Sequence, residues 1–304
     1  MKVARIYSYG GSDEIKIEDS EQPQISKNEV LVKIHDAGIN PIDWKIREGY
    51  MKPATPHFPL TLGQDFSGDV IDVGGKVSGF KKGDRVFGFA HGSYAEFATA
   101  TPEKIALIPK SLDYETAASI PTAGLTAWQL LIQEGHVKAD QNVLIHGAAG
   151  GVGSFACQIA IWKKANVIAT AAADDIPYLQ KLGVKKIIDY KTKRFEEFAK
   201  DIDIVIDLVG GDTLSRSYQL MKKRGIALST VGSYKDSEAS KFGAHGVNFV
   251  MTPNAKDLAE LASLVANKTL KPRVSEILPL TDVKRAQDLN QKGHTHGKVL
   301  LRMM

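Results

Sequence analysis

Cysteine is nearly absent. Cys157 stands alone in 304 residues, which excludes an internal disulfide framework and any cysteine-rich zinc site. A strong charge of one sign is missing too: 39 Lys and Arg face 35 Asp and Glu. A net +4 over this length is too weak a field to demand nucleic acid. The opening Met1-Lys2-Val3-Ala4-Arg5 lacks the apolar core of a secretory signal. The 21 residues from Asn142 to Trp162 carry no formal charge, yet four glycines divide them into pieces too short to span a bilayer. A cytoplasmic protein with no membrane partner is expected. There is no Gly-x-Ser-x-Gly of a serine hydrolase. Gly153-Ser154-Phe155 lacks the lysine of a P-loop, which excludes triphosphate hydrolysis of that kind. No internal repeat occurs.

What is present divides into two domains, at roughly 150 residues each. The first hundred residues read as short strands, Val30–His35, Gly68–Val73, Asp84–Phe89 and Tyr94–Thr99, separated mostly by glycine turns. That pattern is barrel-like or sandwich-like. A helix start follows at Ser111, with Ser as the cap, and a second helix over Ala123–Glu134. From Asn142 strand and helix alternate. Strands are expected at Val143–His146, Val167–Thr170, Lys186–Asp189, Ile204–Val209 and Ile226–Val231. Helices are expected at Val152–Trp162, Ile176–Leu182, Phe195–Lys200 and Leu214–Met221. Such alternation indicates α/β, a doubly wound parallel sheet covered on both faces. Helices at Asp257–Ala266 and Val283–Asn290 and a strand at Lys298–Arg302 complete the chain.

The informative segment is Val143-Leu144-Ile145-His146-Gly147-Ala148-Ala149-Gly150-Gly151-Val152-Gly153. A buried strand runs into glycines and a helix begins at once. Gly150 and Gly151 allow close approach of a pyrophosphate, Gly153 lets the helix pack on the strand, and the helix-start N–H groups bind phosphate charge. Ala148 occupies the first glycine position of the strict G-x-G-x-x-G pattern. The second strand ends Ala171-Ala172-Ala173, without an acid to repel a 2′-phosphate, although Asp174 lies 21 residues after Gly153. Asp174 or Asp175 also suits the cap of the helix carrying Pro177. The reading favours NADPH and leaves NADH open. Tyr218 and Lys222 have the spacing of a short-chain dehydrogenase pair, but about 140 residues precede the glycine loop, so they are read as i,i+4 neighbours on a helix. Lys191-Thr192-Lys193-Arg194 and Lys222-Lys223-Arg224 lack interleaved aromatics and read as solvated faces, so nucleic acid is not an expected partner.

Gly38-Ile39-Asn40-Pro41-Ile42-Asp43-Trp44-Lys45-Ile46-Arg47, Gly63-Gln64-Asp65-Phe66-Ser67-Gly68, Gly83-Asp84-Arg85-Val86 and Ala123-Gly124-Leu125-Thr126-Ala127 extend the pattern beyond the glycine loop. With Ile188-Asp189-Tyr190 and Gly297-Lys298-Val299-Leu300, the chain resembles, end to end, the medium-chain dehydrogenase/reductase superfamily. Within it the sequence is similar to the zinc-free quinone oxidoreductase group, which includes zeta-crystallin and the enone reductases. The resemblance implies a GroES-like β-rich domain over 1–122 and 252–304 and a Rossmann dinucleotide-binding domain over 123–251. Where zinc-dependent relatives carry Cys and Gly-His-Glu, this chain has Asn40 and Gly63-Gln64-Asp65, so no metal is expected. His294 and His296 read as a solvated loop.

What the resemblance implies is a reductase delivering hydride from NADPH to a quinone or an α,β-unsaturated carbonyl, acceptors that need no Lewis acid. Asn40 would position cofactor or substrate, Lys45 would stabilise or protonate the acceptor oxygen through water, and Asp43 would orient Lys45 or bind the cofactor. Asn40-Pro41-Ile42-Asp43 equally reads as a turn into a helix capped by Asp43. Ala149, Gly150, Gly151, Val152 and Gly153 would hold the pyrophosphate, with Thr170, Ala172 and Tyr190 around the adenosine ribose. Thr126, Val209, Gly232, Ser233 and Val250 would complete the cofactor site. Tyr50, on the loop Glu48–Pro59, is a candidate for the acceptor pocket. The resemblance also implies a homodimer. The competing expectation is an NADPH-binding protein with a structural or RNA-binding regulatory role.

Overall fold

The chain divides into two compact units: Met1–Thr122 with Pro253–Asn267 and Pro272–Met304, and Ala123–Thr252 with Lys268–Lys271. The computed structural model describes residues 1–52, 57–293 and 295–303. His294 and positions 53–56 of the Glu48–Pro59 loop lie outside the described residues.

The first unit is built on a seven-stranded sheet. Its path runs Val274–Pro279, Lys298–Arg302, Val30–Gly38, Asp65–Val73, Arg85–Phe89 and Ile105–Leu107, with Phe97–Ala100 also paired to Val30–Gly38. All these pairings are antiparallel except Val274–Pro279 with Lys298–Arg302. A three-stranded antiparallel sheet, Lys16–Asp19, Lys2–Ile6 and Leu60–Thr61, joins the same unit. Its core gathers Val30, Val32, Ile34, Phe66, Val86, Tyr94 and Leu301, mostly β-branched and aromatic side chains suited to a pleated, buried face. Tyr94 precedes rather than opens its expected strand, which begins at Phe97. The cap expected at Ser111 is supplied by Asp113, whose carboxylate accepts the Thr116 N–H at 2.7 Å, and the helix spans Tyr114–Ala118.

The second unit is a six-stranded parallel sheet in the order Lys186–Asp189, Asn166–Ala171, Asn142–His146, Ile202–Asp207, Met221–Ser229, His245–Asn248. Asn142–His146 is central and, after its first residue, wholly buried. That explains its unbroken Val143-Leu144-Ile145 run, the mark of a strand covered on both faces. The order reverses beside this strand, so the crevice at its C-terminal end is where a doubly wound sheet holds ligand.

Two expected helices are different in the structure. Phe195–Lys200 is only a single 3-10 turn, Phe195–Glu197. Leu214–Met221 shortens to Thr213–Ser217 plus a 3-10 turn. Met221 already belongs to the strand Met221–Ser229, so Tyr218 and Lys222 are not helix neighbours; Lys222 pairs with Asp203 at 2.8 Å.

Candidate active site

In the first unit, the strand Val30–Gly38 delivers the chain to Asn40, which has extended backbone and is the N-cap of the helix Pro41–Arg47. Proline at the first helical position suits this entry, because its missing N–H would have had no partner there. Asp43 reaches back, and its Oδ2 accepts the Asn40 N–H at 2.7 Å. The Tyr94 hydroxyl donates to the same oxygen at 2.6 Å. Gly63 lies beneath the Tyr94 ring with φ of +87°, where any Cβ would collide with that ring.

Asp43 is 1% exposed. Burial pushes its carboxyl up to about 7, against the opposing pull of the Tyr94 and Asn40 donors. Its second oxygen, Oδ1, is buried without a partner. Asp43 therefore does not orient Lys45; its Oδ2 is turned inward to Tyr94 and the Asn40 N–H. The Lys45 amine instead lies over the Trp44 ring, 5.7 Å from its centroid. Tyr50 is 73% exposed and meets Trp44 edge-on at 6.3 Å.

Behind Asn40 lies a lysine whose role the residue patterns did not reveal. Lys298 is 6% exposed, and its ammonium donates to the Ile39 carbonyl at 2.9 Å and to Asn40 Oδ1 at 2.5 Å. Asp65 Oδ2 is 3.5 Å away. Asp65 is itself sealed: its Oδ1 accepts the Thr122 hydroxyl at 2.5 Å and its Oδ2 the Thr122 N–H at 3.1 Å. Gly38 leaves the space, since a Cβ there would come within 3.0 Å of Asp65 Cβ. A signal existed in the sequence: Lys298 is a cation heading the apolar run Val299-Leu300-Leu301.

The same geometry bears on zinc. Of the positions where zinc-dependent relatives carry Cys and Gly-His-Glu, Asn40 turns its amide oxygen to an ammonium, Gln64 is a second amide, and the Asp65 carboxylate faces the same ammonium. A divalent cation does not fit a donor set that already holds a positive charge. Among the described residues no group of three or more His, Cys, Asp or Glu could hold a metal ion.

In the second unit, Gly147 takes φ of +74° immediately after the central strand. It therefore makes the tight turn, one residue before Ala148. Gly150, extended, is the N-cap of the helix Gly151–Trp162. A Cβ on Gly153 would overlap the Gly147 carbonyl oxygen and lie 2.7 Å from Ala148 Cα, so the helix reaches the strand only through glycine. A Cβ on Gly150 would meet only the Gly147 oxygen, at 3.4 Å. Free space over Gly150 beside the first-turn N–H groups fits a dinucleotide pyrophosphate.

The remaining expected cofactor residues differ in how they point. Thr170 is buried, and its hydroxyl is committed to His146 Nδ1 at 3.1 Å, so its side chain is not offered to a ribose. Its carbonyl accepts the Ala148 N–H at 3.2 Å and so supports the loop from behind. Ala172 is buried, and Tyr190 is 47% exposed at the end of the neighbouring strand. Asp174 is exposed, whereas Asp175 is the N-cap residue of the helix Ile176–Lys181. Thr126 is buried in the helix Pro121–Trp128.

Asp207 organises the far side of this sheet end. Fully buried, its Oδ1 accepts the N–H groups of Val209 at 3.1 Å and Gly210 at 3.0 Å, which stops the strand at Asp207 rather than at Val209. Its Oδ2 takes the Ser233 hydroxyl in a short hydrogen bond. Ser233 is thus turned inward, contrary to its expected role as a ligand for the cofactor. Val209 and Val250 are exposed, and Gly232 has φ of +76°.

Residues 26–110 match the alcohol dehydrogenase GroES-like domain, and residues 182–301 match the zinc-binding dehydrogenase family. The chain is 31% identical to the quinone oxidoreductase of Pongo abelii, over 99% of this chain and 97% of that protein. It is 31% identical to the 2-methylene-furan-3-one reductase of Solanum lycopersicum, over 99% of this chain and 79% of that protein. The solved quinone oxidoreductase from Coxiella burnetii is similar with a TM-score of 0.94 at 35% identity, covering 100% of this chain and 99% of that one. The Escherichia coli quinone oxidoreductase complexed with NADPH is similar with a TM-score of 0.91 at 29% identity, covering 99% and 100%.

Proposed function

The chain belongs to the quinone oxidoreductases of the medium-chain dehydrogenase/reductase superfamily and is an oxidoreductase of the nicotinamide type, and from that premise we propose that it is a zinc-independent, NADPH-dependent reductase of quinones or α,β-unsaturated carbonyls. The observation that carries this reading is the Lys298 ammonium held by Asn40 and Asp65, beside Gln64, where zinc-dependent relatives carry Cys and Gly-His-Glu. Without a Lewis acid, an acceptor must already be electrophilic, as a quinone or a conjugated enone is.

When bound, a reduced nicotinamide supplies a hydride. The protein's part is to hold and to donate. In this reading residues 123–251 bind the cofactor, with Ala149, Gly150, Gly151, Val152 and Gly153 at the pyrophosphate and Ala172 and Tyr190 near the adenosine ribose. The strand end Ala171-Ala172-Ala173, free of acids, supports acceptance of a 2′-phosphate. Residues 1–122 and 252–304 receive the acceptor, where the Asn40 amide donates a hydrogen bond and Lys45 assists a proton from water. Asp43, sealed against Tyr94, supports the helix that carries Lys45 and does not touch the ligands. The same reading makes the protein a cytoplasmic homodimer acting on small molecules. Among the described residues no helix is long and apolar enough to cross a membrane.

The test is turnover by the purified protein. NADPH oxidation that depends on 9,10-phenanthrenequinone or a short enone, exceeds that with NADH, and survives a chelator is the expected result. Activity lost to the chelator and restored by zinc would sink the zinc-independent reading. Nucleotide binding without turnover of either acceptor would sink the reductase.

A further inference from the structure

Lys298 and Asp65 form a buried ion pair that the proposed reduction does not by itself require. Burying a lysine is costly unless its ammonium is fully partnered. Here it is partnered by two hydrogen bonds, to Ile39 O and Asn40 Oδ1, and by an ion pair with Asp65 Oδ2 at 3.5 Å. An ammonium only donates. The end of the Asn40 amide that meets it at 2.5 Å must therefore be the carbonyl oxygen. The NH2 end is fixed on the other side. One of its hydrogens points to the Gly38 carbonyl at a long 3.4 Å. The other has no acceptor among the described residues, and since Asn40 is only 2% exposed, an acceptor would have to meet it at a buried position.

We propose that Lys298, clamped by Asp65 and Thr122, is a positioning residue that locks the Asn40 amide as a hydrogen-bond donor. Asn40 then offers N–H, never C=O, to the bound acceptor, and the atom it serves is the acceptor's carbonyl oxygen. As hydride adds to the acceptor's carbon, the π-electron pair moves onto that oxygen. The Asn40 N–H meets the growing negative charge, and a proton from water then neutralises the reduced acceptor. A cation on the amide oxygen polarises the amide and strengthens its N–H as a donor. The lysine charge, sealed from water, thereby reaches the reacting oxygen through one side chain. The inference rests on the reading that Asn40 contacts the acceptor, and the experiment separates the two.

Asn40→Asp keeps the shape but offers a bare oxygen to the acceptor. It should lose about a hundredfold in kcat, the usual effect of removing one oxyanion donor. NADPH affinity by fluorescence titration should stay within about threefold, well under 1.4 kcal/mol. Activity should recover as pH falls and the new carboxyl, once protonated, can donate. Lys298→Met combined with Asp65→Asn removes both charges together. It should lower kcat at least tenfold with NADPH affinity kept, and adding Asn40→Ala should then cost little more, because an unlocked amide already donates poorly. If that pair removal leaves kcat at the wild-type level while Asn40→Ala abolishes it, Lys298 is scaffolding and the inference falls with the role of Asn40 intact. If Asn40→Ala leaves kcat and KM unchanged, the role of Asn40 falls and takes the inference with it. Should the paired variant fail to fold, the Asn40→Asp profile decides alone, since a loss that is flat with pH overturns the inference.

Discussion

Asp43 is held by two donors on one oxygen, and each acts differently on its two protonation states. Both the Tyr94 hydroxyl and the Asn40 N–H favour the charged carboxylate, while burial opposes it more strongly and leaves the group near 7. Replacing Tyr94 by Phe keeps the ring over Gly63 and removes one donor. Hydrogen bonds to a charged group are worth about 1.5–3 kcal/mol, and those to a neutral one about 0.5–1.5. Tyr94→Phe should therefore cost more stability at pH 8 than at pH 5, a difference that urea unfolding at the two pH values would measure. An equal cost at both would mean Asp43 stays protonated throughout. At this scale the sequence was legible only locally. Asn40-Pro41-Ile42-Asp43 declares a helix entry, and the carboxylate does bond the cap, because those partners are three residues apart. Tyr94 and Lys298 are 51 and 258 residues from the groups they bind, and no local pattern encodes such a meeting. The same limit hid the inward turns of Thr170 and Ser233, whose partners His146 and Asp207 lie on neighbouring strands.

Elements are specified by pattern over a longer stretch, and the glycine loop shows which part of a motif serves folding and which serves binding. Gly153→Ala drives a methyl into the backbone of Gly147 and Ala148, atoms that cannot swing aside. Gly150→Ala meets only one oxygen at 3.4 Å, so the fold should tolerate it. Its methyl would instead occupy the space expected for phosphate. The outcome expected is a lowered melting temperature for Gly153→Ala. For Gly150→Ala, near-normal melting should accompany an NADPH affinity at least tenfold weaker, about 1.4 kcal/mol. Calorimetry and fluorescence titration would separate the two, and a Gly150→Ala variant that binds normally would refute the assignment. Strand, glycines and helix could be read from the sequence because burial on both faces leaves an unbroken apolar run. Met221–Ser229 could not be read as readily. Its opening Lys222, Lys223 and Arg224 are exposed, ahead of the pairing with His245–Asn248 that begins at Ile226, and Lys222 is held by Asp203, so the apolar signal starts late. The glycine of the tight turn is Gly147, one residue before the motif's first position at Ala148, and φ rather than spacing identifies it.

Across the whole molecule, each unit buries a titratable group near its functional segment that burial shifts far from its ordinary value, and these two respond to acid in opposite directions. In the first unit Asp43 sits at about 7, above its ordinary 3.8, so the folded state holds a proton that the unfolded chain releases. Its favourable contribution is complete below pH 3.8 and is lost as pH rises through 7, on the order of 4 kcal/mol in all. In the second unit burial lowers His146 from 6.5 to about 4. Its ring is therefore neutral near pH 7, and since the Ser217 hydroxyl donates to the Thr213 carbonyl, it is Nε2 that carries the proton and donates to Ser217 at 2.9 Å. That contribution is complete above pH 6.5 and is lost as pH falls through 4, on the order of 3 kcal/mol. Between pH 7 and 5, acid should therefore loosen the second unit at its central strands while tightening the first around Asn40–Arg47. Hydrogen exchange, corrected for intrinsic rates, should show protection falling over Asn142–His146 and Asn166–Ala171 and holding or rising over the helix Pro41–Arg47. His146→Gln should remove the first trend and Asp43→Asn the second, each without altering the other. Parallel loss of protection in both units, unchanged by either substitution, would show that acid acts on the chain through groups other than these two.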